Sequence, residues 1–402
     1  ERFVDIQLTH AEFQKLLQSG YLQKLADSAS AQFSGTLRFS YPGAYLKTAG
    51  ARVPAFITAG IDAEIAQWAK VPYTAVTKSD GYPVTIYDFL QTYPESQALC
   101  NRMLYVSMLA NQCHGDKARK KVAREKIWAA QSGESFVCTA SAPLVRAAYR
   151  RIAFKNLSEA EKIIRECSEF EEAASRFDYN ADGIDEYMFR MAGFTACITR
   201  TAGAISELDV MQSAGNYADN LSRMEAFDGC TDDYVRSLFI DYILSDTDVK
   251  GYVQGKCENR ETFLRAQYTE QKFSPQHKEV QLLFSGEFGE KKQALSVRKK
   301  YAANSNGFTL QYIVKNESAE ALRADFVVES NFAQANYDPL DFTPYTIEIA
   351  SGDTRFESDS AQSSATLSPT GILSDVSAVQ LERYGYLLAL VIQLYDRAVV
   401  CI

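Results

Sequence analysis

Asp178-Tyr179-Asn180-Ala181-Asp182-Gly183-Ile184-Asp185-Glu186, running on into Tyr187-Met188-Phe189-Arg190-Met191-Ala192-Gly193-Phe194-Thr195-Ala196-Cys197-Ile198, is the stretch where the chain changes character. Before it, apolar residues recur every three or four positions, the period of a helix with one buried face. After Ser175 they alternate, the period of a strand. Such stretches are Glu186 to Ile198, Val280 to Phe288, Phe308 to Val314, Ala324 to Glu329, Thr346 to Ile349 and Tyr386 to Val400, separated by Gly, Asn, Asp and Ser turns. Some two hundred residues of this pattern predict a large antiparallel β-sandwich. The segment Ser351 to Ser374, rich in Ser, Asp and Thr, reads as a solvated hairpin end or loop.

Working upstream, Pro94 opens a helix to about Cys113, with Leu99, Met103, Val106 and Leu109 on one face. A second helix, Asp116 to Gln131, is basic at its start. A third runs from about Pro143 to Lys155, and a capping box, Ser158 with Glu161, opens a fourth. Short loops between them predict an α-helical bundle. Another capping box, Thr9 with Glu12, precedes Phe13, Leu16, Leu17, Tyr21, Leu22 and Leu25, a helical run that Gly20 divides. From Phe33 to Pro94, Gly and Pro punctuate the chain nearly every ten residues, leaving room for one helix around Ile61 to Lys70. The expected class is α+β and multidomain: a mixed segment at 1–84, a helical bundle at 85–175, and an antiparallel sandwich at 176–402.

The composition agrees. At 402 residues, 46% hydrophobic and 23% charged, the chain can bury a sizeable core and is neither disordered nor collagen-like. Lys and Arg number 42 against 51 Asp and Glu, a net charge of −9 that repels a phosphate backbone, so nucleic acid is not an expected partner. The longest apolar stretch, Tyr386 to Tyr395, falls well short of the ~20 residues a membrane-spanning helix requires. Eight cysteines, with no C-x-x-C pair, read as buried free thiols, which slightly favours the cytoplasm.

The sharpest local motif is Asp178 to Glu186. Side-chain oxygens of Asp178, Asn180 and Asp182, the backbone carbonyl of Ile184 and the carboxylate of Glu186 could wrap a hard cation, and calcium suits that donor set. The same residues also make an Asx-rich turn in which Asp and Asn bond their own backbone, and the sequence leaves both readings open. An EF-hand is not expected, because Phe189 stands where the twelfth-position Glu belongs. His10, His114 and His277 sit in no triad or metal pattern, and no P-loop, G-x-S-x-G or G-x-G-x-x-G is present. The cluster Lys117, Arg119, Lys120, Lys121, Arg124 and Lys126 reads as a solvated helix face.

Several strings, in order, resemble the helical region of glycoside hydrolase family 57, of the 4-alpha-glucanotransferase and alpha-amylase type. They are Tyr93-Pro94-Glu95-Ser96, Arg102-Met103-Leu104-Tyr105-Val106-Ser107, Ala123-Arg124-Glu125, Trp128-Ala129-Ala130-Gln131, Arg150-Arg151, Lys155-Asn156-Leu157 and Ala160-Glu161. The likeness continues through Asp178 to Glu186, Ala202-Gly203-Ala204-Ile205-Ser206-Glu207-Leu208 and Asn216-Tyr217-Ala218-Asp219-Asn220-Leu221-Ser222-Arg223. It covers roughly residues 85 to 240 and extends more weakly into the sandwich. The resemblance implies a retaining mechanism, with a Glu nucleophile and an Asp acid/base on the strands of an incomplete barrel. Neither residue can be placed in 1–84, where only Glu64-Ile65-Ala66-Gln67-Trp68-Ala69 looks like the end of such a barrel, and a barrel takes ~200 residues or more.

The resemblance also marks a substrate loop, Gln131 to Thr139, where Glu134 keeps an acid and Phe136 an aromatic ring. Val137 and Cys138 replace the family's Trp and His, and Ala142-Pro143 replaces its Gly pair. The implied reading is a non-catalytic or degenerate family 57-like protein related to alpha-glucan or maltooligosaccharide binding, its catalytic barrel upstream or on another chain. The alternatives are an active alpha-amylase or 4-alpha-glucanotransferase, and a protein-interaction scaffold.

Overall fold

A computed structural model describes residues 10–32, 90, 93–114, 116–136, 143–167, 169–220, 234–253, 263, 266–289 and 291–333, together with the backbone of strands within 345–401. The predicted helix around Ile61 to Lys70 and the string from Glu64 to Ala69 lie outside the described residues. Contacts divide the chain into two units, Glu1–Gly60 and Ile61–Ile402. In the first, helices α1 (His10–Gln18) and α2 (Tyr21–Gln32) meet at Gly20, whose φ of +66° breaks the run where a side chain would be strained. Thr9, the expected cap, lies outside the described residues.

The second unit begins its described part with helices α3 (Pro94–Gln112), α4 (Lys117–Ala129) and α5 (Pro143–Cys167). Asp116 caps α4, its side chain accepting from the backbone N–H of Ala118 at 2.8 Å. The expected third and fourth helices are one: α5 runs unbroken for 25 residues. Ser158 and Glu161 do not open a helix. They sit in its middle, completely buried, where their polar groups meet partners on the sheet rather than free backbone amides.

Strands β1 (Ala173–Phe177), β2 (Glu186–Arg190), β3 (Phe194–Ile198), β4 (Ile205–Val210), β5 (Gly215–Asn216), β6 (Leu238–Leu244) and β11 (Asp325–Ser330) form a seven-stranded sheet in the order β1-β2-β3-β4-β6-β11, with β5 paired to β4. Helix α6 (Asp246–Val253) follows β6. Strands β7 (Thr269–Ser274), β8 (Glu279–Phe288), β9 (Gln293–Asn304) and β10 (Gly307–Asn316) form a second, four-stranded sheet in the order β10-β9-β8-β7. A third sheet, β13-β12-β15-β16, is built from β12 (Tyr345–Ser351), β13 (Thr354–Ser360), β15 (Val376–Arg383) and β16 (Tyr386–Val391). A fourth pairs β14 (Ile372–Ser374) with β17 (Val399–Cys401). The stretch read as a hairpin end or loop from Ser351 to Ser374 begins with a hairpin, Thr354 to Ser360 folding back on β12 with Ser351 opposite Thr354, and ends in the short strand β14.

Two hydrophobic clusters explain the layering. Tyr187, Phe189, Ala196 and Ile198 pack with Val280, Leu282, Leu295, Val297 and Tyr301 of the second sheet. Met188 and Cys197, pointing the opposite way, pack with Leu99, Val106, Ile127, Phe154 and Leu157 of the helices. The seven-stranded sheet thus lies between a helical layer and a second sheet. Strands β2 and β3 are buried on both faces, which is why their sequence is almost continuously apolar.

One lysine bolts the two sheets together. Lys299 of β9 is fully buried and reaches Asp241 of β6 at 2.6 Å, while donating to the carbonyls of Ala202, Gly203 and Phe239 at 2.7, 3.2 and 2.7 Å. Tyr268 donates to Asp241 at 2.9 Å. Burial pushes the lysine down and the aspartate up, each partly offset by the other's charge. Gly203, at φ +53°, lets the chain turn beside this lysine, since a Cβ there would stand 3.1 Å from Lys299 Cδ and 3.2 Å from the Tyr268 ring. Among the described residues no helix is long and apolar enough to cross a membrane.

Candidate functional site

The chemistry-bearing side chains of the described body converge between the helices and the sheet. Arg102 enters from α3, Ser158, Glu161 and Arg165 from α5, and Arg190, Thr195, Glu207 and Asp209 from β2, β3 and β4. Arg102, Glu161 and Asp209 are fully buried and Glu207 is 3% exposed. Arg102 Nη2 meets Glu161 Oε2 at 2.7 Å, and its Nε stands 3.2 Å from Asp209 Oδ2 and 3.6 Å from Glu207 Oε1. The other Glu161 oxygen accepts from Arg165 Nη2 and Nε at 2.8 and 3.0 Å, from Thr195 Oγ1 at 2.9 Å and from Arg190 Nε at 3.3 Å. Ser158 Oγ donates to Asp209 at 3.3 Å, and Tyr179 OH to Glu207 at 2.9 Å.

Each carboxylate has its own electrostatic setting. Burial works against the charged form of Glu161, but Arg102, Arg165 and Arg190 outweigh it and hold the carboxyl well below its usual range. Burial and the neighbouring charge of Asp209 push Glu207 well above that range, and burial raises Asp209 as well, against the pull of Arg102. The upward push is the stronger on Glu207. An acid pair of this kind serves general acid and base work when it faces a substrate. Here it is sealed from solvent on every side, so it holds layers together.

The expected site residues lie around this core. In the acidic loop, Asp182 N–H donates to Asp178 Oδ1 at 3.1 Å and Asn180 Oδ1 at 2.9 Å, Gly183 N–H to Asp178 Oδ2 at 3.0 Å, and Ile184 N–H to Asp182 Oδ1 at 2.7 Å. Glu186 accepts from Tyr179 N–H at 2.8 Å and Asn180 Nδ2 at 3.1 Å. Backbone amides therefore occupy the oxygens, and among the described residues no three Asp, Glu, His or Cys side chains converge as ion ligands. Burial, with Asp182 and Asp178 nearby, pushes Glu186 up to about 7 despite the amide of Tyr179. The loop is docked on α3, where Gln97 Nε2 donates to the Asn180 carbonyl at 2.9 Å and Tyr105 stacks on Phe177.

The segment of Glu134 and Phe136 is a 3-10 turn, Gly133–Ser135. Ser96 Oγ donates to the Phe136 carbonyl at 2.7 Å, Ser135 Oγ to the Tyr149 carbonyl at 3.1 Å, and the Phe136 ring packs against the helical core. The Glu134 side chain and residues 137–142 lie outside the described residues. His114 and His277 are exposed. Cys113 and Cys197 are buried free thiols, as expected, whereas Cys100 and Cys167 are free but only half-buried.

Glu207 and Asp209 escaped sequence reasoning because Ser206, Leu208 and Val210 alternate with them, the pattern of a strand with a wet face. That face is covered by α5. The one usable signal was Arg102, a cation in an otherwise apolar row of α3.

Comparisons with known proteins place the architecture. Residues 230–368 match the family model for the C-terminal domain of alpha-amylase/4-alpha-glucanotransferase. The fold matches the crystal structure of 4-alpha-glucanotransferase from Thermococcus litoralis with a TM-score of 0.59 and 20% identity, over 92% of this chain and 59% of that one. No curated protein matches the sequence. The chain is thus similar in fold to a 4-alpha-glucanotransferase, its residues 230–368 are similar to the C-terminal domain of that enzyme type, and it spans 59% of the length of the solved structure.

The upward push on Glu207 has a measurable consequence. A carboxyl raised in the folded state contributes stability that is fully present below its unfolded pKa, roughly 4.3, and is lost as pH climbs toward its folded value. In urea unfolding from about pH 5 to pH 9, Glu207→Gln should lack this loss, about 1.4 kcal/mol per pH unit, so the variant gains on the wild type as pH rises. Parallel pH profiles would show that Glu207 is charged in the fold.

Proposed function

We propose that this chain is the helical and sandwich frame of a family 57-type protein, and that it binds or positions alpha-glucan without cleaving glycosidic bonds itself. The observation that carries this reading is the sealing of Glu161, Glu207 and Asp209. Glu161 and Asp209 are committed to Arg102, Glu207 is buried beside them, and none of the three meets solvent where a sugar could reach it. The relation to alpha-amylase and 4-alpha-glucanotransferase supports alpha-1,4-glucan as the ligand class. At the turn of Glu134 and Phe136, the ring is engaged in packing and the backbone in hydrogen bonds, which suits support of a neighbouring glucan site.

Calorimetry of the 402-residue chain with maltoheptaose should show saturable binding, and chromatography of the same mixture should show no shorter or longer maltooligosaccharides. Turnover would establish the active alpha-amylase or 4-alpha-glucanotransferase instead. Neither binding nor turnover would leave the interaction scaffold.

Calcium at Asp178, Asn180, Asp182, Ile184 and Glu186 is a separate proposal. A cation there would replace the amide bonds and draw Glu186 back down from about 7. If the ion belongs to the loop, calcium raises the melting temperature over chelator and Asp182→Ala removes the increase. The amide-filled turn predicts superimposable curves.

A further inference from the structure

Helix α4 breaks a local rule. Its thirteen residues carry six cations, Lys117, Arg119, Lys120, Lys121, Arg124 and Lys126, against the single acid Glu125, in a chain whose net charge is −9. Four of the six stand in the first turn and the residue after it, at the end of the helix where the backbone dipole is positive and cations are disfavoured. A concentration of charge that works against its own helix needs a reason beyond solubility.

The cations divide by face. Arg119 and Lys126 turn to α5 and pair with Glu166 and Glu159. The other four, Lys117, Lys120, Lys121 and Arg124, line a groove of about 530 Å³ with His114 and Trp128, and no carboxylate lines it. Two of these cations are held in place: Lys120 Nζ donates to the carbonyls of Asn111 and Cys113 at 3.1 and 3.0 Å, and Arg124 Nη2 to Asn111 Oδ1 at 3.2 Å. Among the described residues Lys121 pairs only with the exposed Glu125, 3.8 Å away. Trp128 is 60% exposed, and it also lines an adjoining pocket of about 200 Å³ with Ser107, Asn111 and Gln131. An indole left open beside fixed cations and neutral hydrogen-bonding groups offers one surface to the apolar face of a ring and another to an anion.

We infer that the groove between the end of α3 and α4 binds a phosphomonoester carried on a hexose, the sugar ring stacking on Trp128 and the phosphate held by Lys117, Lys121 and Arg124. The choice of a sugar rests on the alpha-glucan reading above. The phosphate rests on the groove alone. A free sugar phosphate and a phosphorylated glucan chain present the same chemistry. Nucleic acid fits less well, since the patch is short, has a single open indole and sits on an acidic protein.

Tryptophan fluorescence at low salt tests it. Glucose 6-phosphate should shift the emission saturably, and Trp128→Phe should abolish the shift. Inorganic phosphate should bind at least several-fold more weakly, and glucose should give no response. Lys117→Glu/Lys121→Glu should weaken glucose 6-phosphate at least tenfold, while its melting temperature stays at or above the wild type because acid now faces the helix dipole. A phosphorylated amylopectin fragment binding more tightly than glucose 6-phosphate would identify the chain as the source, and the reverse the free sugar. The inference is overturned by no saturable response to either, by equal affinity for inorganic phosphate, by an unchanged affinity in the double variant, or by tighter binding of a single-stranded oligonucleotide. Maltoheptaose binding that survives the double variant keeps the glucan reading separate, so the two can fail independently.

Discussion

The guanidinium of Arg102, wholly buried between helix α3 and strand β4, is the constraint on which the rest of the second unit turns. A charge that has lost its water must be repaid by opposite charge at close range, or the fold cannot keep it. Glu161 repays it from α5 and Asp209 from β4, so three elements distant in sequence are committed to one point. Glu161 then recruits Arg165, Arg190 and Thr195, which extends the tie to β2 and β3. Removing one member of such a network leaves the others buried and uncompensated, at a cost of about 3–5 kcal/mol.

A second ion pair performs the same service on the opposite face. Lys299 and Asp241 join the four-stranded sheet to the seven-stranded one, and the carbonyls around Lys299 fix where the chain turns at Gly203. Between the two clamps, β2 and β3 carry apolar side chains to both sides. Arg150 adds a further tie, pairing with Asp219 at 2.6 Å and donating to the Glu95 carbonyl at 2.8 Å at the start of α3. The strings by which the chain resembles family 57 supply many of these charges, Arg102, Arg150, Glu161, Glu207 and Asp219, and the Glu95 carbonyl that accepts from Arg150.

Much of the fold was legible. The three-to-four spacing of Leu99, Met103, Val106 and Leu109 located α3, and alternation located β8, β10, β11 and β12 within a residue or two. The errors have a common physical origin. Ser158 with Glu161 looks like a capping box because the residue types are the same whether the oxygens face free helix amides or a buried arginine. Glu207 and Asp209 look solvated because alternation reports two faces without saying what covers the second. The strand β13, Thr354 to Ser360, is polar enough to read as loop, and only its pairing with β12 makes it a strand. Asp178 to Glu186 was legible as a turn, but whether its oxygens meet amides or a cation depends on backbone orientation that residue types do not specify.

These features make the helices and the seven-stranded sheet one frame with an ionic joint. Native-state hydrogen exchange tests that account most directly. Amides of α3, α5 and β2 to β4 should open together with one free energy in the wild type, and Arg102→Met should split them into a less protected helical set and a sheet set. Helices that already exchange as a separate, less stable unit in the wild type would contradict it.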